Sequence, residues 1–133
     1  MLERYKNRIT PENIKNLNKN EIFVFGSNLR GSHGSGAAYM ALQWGAKLGI
    51  GVGLHGQTYA IPTMFDNVTK LIPYVKEFIY FAQGHPNMIF LVTKIGCGIA
   101  GFTVNDIAPL FKEAESYENI YLPTEFWDYI LFS

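Results

Sequence analysis

Ile22-Phe23-Val24-Phe25 runs without interruption into Gly26-Ser27-Asn28-Leu29-Arg30-Gly31-Ser32-His33-Gly34-Ser35-Gly36-Ala37-Ala38. Consecutive apolar residues over Glu21–Phe25 read as a strand buried on both faces, as in the centre of a parallel sheet. The glycine-rich stretch opens an apolar helix carrying Ala37, Ala38, Met40, Ala41, Leu42, Trp44, Ala46 and Leu48, with Gly49 as its C-cap. Glycine weakens helices and strands, so a cluster of it at a strand end marks backbone that approaches something closely. The pattern then recurs. Met88–Ile95 is the strongest strand signal in the chain and leads into Gly96-Cys97-Gly98-Ile99-Ala100-Gly101-Phe102.

Outward from these two units the remaining elements follow. Met1–Arg8 reads as a polar lead-in or edge strand. Thr10-Pro11-Glu12 has the form of a helix start, with a helix over Pro11–Leu17. Gly49–Gly56 is a mobile or closely packed loop. Thr58–Ile61 is a short strand stopped by Pro62, and Met64–Leu71 is a connection of open shape. Ile72, Val75, Phe78, Ile79 and Ala82 lie at helical spacing and predict a helix over Pro73–Gln83. Thr103 caps a further helix through Ala114, with Asp106 in its first turn and Pro109 as a kink or a delayed start. Asn119–Leu122 is a last short strand, and Glu125–Phe132 an aromatic tail. Alternating strands and helices predict an α/β fold: a mostly parallel sheet with helices on both faces. In such sheets ligands bind beyond the carboxyl ends of the strands. Both glycine loops lie there and can share one crevice.

Bulk composition narrows the function. The 133 residues read as one domain over 1–133, and 48% hydrophobic against 17% charged residues indicates a folded core. Lys plus Arg equals Asp plus Glu, 11 each. That balance argues against nonspecific nucleic-acid binding, which draws on excess positive charge, and leaves a homo-oligomer open. Cys97 is the single cysteine, so no intrachain disulfide forms. No basic, then apolar, leader and no run long enough for a membrane span are present, which reads as a cytoplasmic chain with no membrane partner. No His, Cys, Asp and Glu spacing suggests a metal site, and no cofactor is called for.

Main-chain N–H groups in a strand–glycine loop–helix unit can cradle an anion. The candidate ligand-binding residues are Gly26, Ser27, Asn28, Arg30, Gly31, His33, Gly34, Gly36 and Ala37 in the first loop. In the second they are Gly96, Cys97, Gly98, Ile99, Ala100, Gly101 and Phe102. Arg30 offers a bidentate partner for a phosphate. His33 is the candidate acid or base, with Asn28 orienting water. The alternatives are a histidine that bonds a loop carbonyl and an asparagine that ties its own loop down. Cys97 is either a thiolate activated by surrounding amides or a small space-filler.

Several of these residues occur together in a known pattern. Ile9-Thr10, then Glu21–Asn28, a glycine-rich turn and an alanine-rich helix resemble the opening of macro domains. Ile95-Gly96-Cys97-Gly98-Ile99-Ala100-Gly101-Phe102 resembles their second loop. The Phe-Gly-Ser-Asn-Leu and Tyr-Ala-Ile-Pro-Thr runs are also similar to a compact macro-like family of phage and bacterial genomes. The resemblance covers about Ile9 to Phe111. It implies a three-layer α/β/α sandwich and a small nucleotide partner such as ADP-ribose. Asn28 would lie near the distal ribose, Gly31–Ala37 would line the first loop, Gly96–Gly101 would wrap the diphosphate, and Phe102 would lie against the distal ribose. Hydrolysis of an ADP-ribosyl or phosphate bond is the reaction the resemblance allows. Macro domains carry an Asp just before the Ile-Thr pair to hold the adenine amino group. Here Arg8 stands there, and a cation cannot accept that hydrogen bond. Two rival classes remain: a non-enzymatic accessory protein that sequesters a signalling nucleotide or acts through protein contacts, and a structural oligomer in which the loops only pack.

Overall fold

Along β1 (Glu21–Ser27), successive side chains enter two different cores, which is why this strand is apolar on both faces. Ile22 and Val24 join one cluster with Tyr59, Ile61, Phe78, Phe90 and Phe111. Phe23 and Phe25 join the other with Ile14, Ala41, Ala60 and Leu91. In the computed structural model, which describes residues 3–34 and 36–132, these strands belong to one sheet. Met1 and Leu2, at the start of the expected lead-in, and Ser35 of the first glycine loop lie outside the described residues.

Among the described residues the sheet has five strands: β1, β2 (Gly53–His55), β3 (Thr58–Pro62), β4 (Ile89–Val92) and β5 (Ile120–Tyr121). Their order is β2-β3-β1-β4-β5. β3, β1, β4 and β5 are mutually parallel, and β2 pairs antiparallel to β3 at the edge. The mostly parallel sheet with helices is thus as the sequence predicts. The carboxyl ends of β1, β3 and β4 lie side by side, with Val24 opposite Val92 and Ser27 opposite Pro62. Pro62 does not stop β3 but ends it in register. The following Thr63 N–H donates to the Ser27 carbonyl at 2.8 Å, so the N–H that proline lacks is not needed.

The larger core is covered by α2 (Ile72–Gln83), α3 (Val104–Ile107), the 3-10 helix Ala108–Ser116 and α4 (Thr124–Phe132). Thr103 caps α3 in a reciprocal capping box with Asp106. The expected single helix to Ala114 becomes 3-10 from Ala108, at Pro109, whose ring cannot sit within an α-helical hydrogen-bond ladder. The smaller core is covered thinly, by α1 (Gly36–Ala41) and the 3-10 turn Leu42–Trp44.

Further expectations need correction, and the Gly49–Gly56 loop holds the edge strand β2. The helix over Ala37–Leu48 ends early. Trp44 packs on Phe23 with ring centroids 4.9 Å apart, and Gly45, at φ 111, turns the chain away, so Gly45 and not Gly49 is the cap. Pro11–Leu17 is not helical. Thr10 N–H donates to the Leu122 carbonyl beside an Ile9–Leu122 bridge, so the residue expected to cap a helix is committed to strand-like pairing. Glu3–Arg8 is a 3-10 helix and not an edge strand.

Candidate functional site

Beyond the carboxyl ends of β1, β3 and β4 lies a cleft of about 440 Å³. Its volume falls in the range of small-molecule sites. Gly26, Ser27, Asn28, Ser32, His33, Gly34, Gly36, Ala37 and Ala38 line it from the first loop side. Thr93–Gly96 and Gly98, Ile99 and Ala100 line it from the second. Thr63 and Met64 complete it from the end of β3. The two loops therefore converge on one crevice.

The first loop is braced by a segment far along the chain. Ser27 Oγ donates to the Gly51 carbonyl at 2.5 Å, and Gly49 N–H donates to the Gly31 carbonyl at 2.9 Å. A Cβ on Gly31 would lie 2.2 Å from the Ile50 nitrogen, and one on Gly51 would lie 1.8 Å from the Asn28 oxygen. Gly31 is thus a packing glycine and does not line the cleft. Asn28 accepts from the Ser32 N–H at 3.1 Å through Oδ1, tying its own loop down while its residue still lines the cleft.

His33 is a buried brace. Its Nε2–H donates to the Ile50 carbonyl at 3.0 Å, and its ring meets Phe25 edge-on at 5.3 Å. Because a carbonyl only accepts, Nε2 carries a proton in this bond. Nδ1 is buried and has no partner among the described residues. The residue holds φ at 46, an unusual backbone state for a side chain other than glycine. The geometry is that of the carbonyl-bonding alternative, with no acid–base partner set against it.

Other expected residues sit apart from the cleft wall. Arg30 is exposed and does not line it, and neither do Cys97, Gly101 or Phe102. Phe102 packs against the larger core instead. Burial pushes the Cys97 thiol up, which opposes thiolate formation. Arg8 does not line the cleft. Its guanidinium donates to the carbonyls of Ala114, Glu115, Tyr117 and Ile120 and stacks 4.8 Å over the Trp127 ring. It ties the end of the Glu3–Arg8 3-10 helix to the Ala114–Ile120 stretch and is not among the residues lining the cleft.

Two glycines stand out by a different criterion. Gly34 and Gly98 line the cleft from opposite loops, neither has a positive φ, and an added Cβ at either meets nothing within 4 Å. Neither backbone strain nor internal packing requires glycine there. Nearby, the N–H groups of Gly34, Gly98, Ile99 and Ala100 donate to no acceptor among the described residues. Because α1 is only six residues long, its dipole adds little, and individual amides are the main donors.

Lys94 was missed by sequence reasoning. It lines the cleft at the end of β4, and its ammonium is paired with Glu125 on α4. Among the described residues no group of His, Cys, Asp and Glu could hold a metal ion, and no helix is long and apolar enough to cross a membrane. Comparison with family models, curated proteins and solved structures returns no match.

Proposed function

We propose that the cleft binds a phosphate-bearing nucleotide, ADP-ribose or a close relative, with the phosphates held by main-chain amides of the two glycine loops. The observation that carries this reading is the pair Gly34 and Gly98, glycine residues that neither the backbone nor the packing of the chain requires. Side chains at these places would project into free space beside N–H groups that have no acceptor among the described residues, where an anion is favoured. Met64 and Ile99 stand exposed on the rim, at 49% and 75%, and offer apolar surface to the rest of such a ligand. The macro-domain resemblance points to the same ligand class and the same loops.

Binding is favoured over hydrolysis. His33 is spent on Ile50 and Asn28 on Ser32, and Lys94, the one other titratable side chain lining the cleft among the described residues, is paired with Glu125. The test is a thermal-shift panel of ADP-ribose, NAD, cyclic nucleotides and phosphate, since a ligand that binds only the native state raises the midpoint. A rise with ADP-ribose, and its recovery unchanged after prolonged incubation, supports a binding protein. No rise with any member of the panel contradicts the proposal.

A further inference from the structure

Among the described residues Lys94 is the only charged side chain lining the glycine cleft, and it does not face that cleft alone. A neighbouring cavity of about 790 Å³ shares Gly36, Ala37, Thr93 and Lys94 with it. Glu125 lines only this second cavity, and its Oε2 holds the Lys94 ammonium. The two partners differ in freedom. The backbone of Glu125 is fixed by α4, whose Phe126 and Trp127 are fully buried and whose indole N–H donates to the Arg8 carbonyl at 2.8 Å. Lys94 carries its charge on a flexible four-carbon stem. The side chains are 47% and 40% exposed, so their ion pair is weak and replaceable.

We propose that Glu125 holds Lys94 in reserve, and that an anion entering the glycine cleft takes the ammonium over from it. This rests on the reading of the cleft as an anion site. Attraction grows with charge, so a diphosphate competes with one carboxylate where a singly charged group does not. Glu125 thereby sets a threshold that favours multiply charged ligands, and Lys94 supplies the one side-chain charge in an otherwise main-chain cradle. Release of Lys94 also removes the ion pair from the wall common to the two cavities.

The test uses inorganic pyrophosphate as probe, titrated by calorimetry into the full chain and into Glu125→Gln, Lys94→Met and the double variant. Both residues are half exposed, and matching thermal melts establish that each variant is folded. Glu125→Gln is expected to tighten binding about fivefold, the size of a weak surface ion pair. Lys94→Met is expected to weaken it by at least as much, and Glu125→Gln added to Lys94→Met is expected to change nothing further. Equal tightening with and without Lys94 overturns the proposal, because it reduces Glu125 to a distant repulsive charge. Pyrophosphate binding that Gly98→Glu abolishes but Lys94→Met leaves intact overturns it too, while the cleft reading stands. No binding by any of these proteins ends both.

Discussion

His33 Nε2 lies 3.0 Å from the Ile50 carbonyl, and that hydrogen bond fastens the first glycine loop to the Gly49–Gly51 segment. With Phe25 packed edge-on against the same ring, the histidine holds up the cleft without facing a reacting group. His33→Ala removes the bond and leaves a cavity beside Phe25. It should cost about 2–3 kcal/mol in urea unfolding. Unchanged stability would show that the loop is held by other means.

The glycines divide into two classes with opposite mutational behaviour. Gly51→Ala drives a methyl group to 1.8 Å from the Asn28 oxygen, and Gly31→Ala to 2.2 Å from the Ile50 nitrogen. Either should fail to fold or lose several kcal/mol. Gly34→Ala meets nothing within 4 Å and should stay within about 0.5 kcal/mol of the parent. Circular-dichroism melts of the three variants check the division.

Arg8 gives a prediction for a residue that does not line the cleft. Its guanidinium serves the carbonyls of Ala114, Glu115, Tyr117 and Ile120, and a lysine cannot replace that fork. Arg8→Lys should lower stability by about 2–4 kcal/mol, chiefly from buried carbonyls left without donors. Ligand affinity of the folded fraction should not change, since Arg8 is not part of the cleft wall.

Tyr59 sets an alkaline limit. Burial in the larger core pushes its hydroxyl up to about 12, with the Glu77 charge adding to the effect. The unfolded chain ionises near pH 10 and the folded chain only near 12. The contribution of Tyr59 is therefore complete below pH 10 and is lost as the pH rises toward 12. On the order of 2 kcal/mol should disappear over that window in denaturant titrations, and Tyr59→Phe should flatten the slope.

The sheet was legible because its signals are local. Ile22–Phe25 is apolar at every position since the two faces feed two cores, and Thr103 with Asp106 writes a helix start within four residues. Pro11–Leu17 misled because a proline after a threonine looks the same whether the threonine caps a helix or pairs with Leu122, over a hundred residues away. The edge strand β2 was hidden among glycines of the Gly49–Gly56 stretch, where residues that build a hairpin resemble residues of a loop. Within the cleft, the glycine loops could be read directly. The separation of bracing Gly31 from open Gly34 could not, because it depends on Ile50 approaching from elsewhere. Lys94 and Glu125 carry no mutual sequence signal, and only the placement of α4 beside the end of β4 joins them.

Gly98→Glu tests the central claim most directly, because its side chain has open space and its backbone imposes no strain. ADP-ribose titrated calorimetrically into the parent and into this variant should bind the first and not the second, with both melting within a degree or two of each other. Equal affinity in the two proteins, or no uptake by the parent, would contradict a phosphate cradle at the glycine loops.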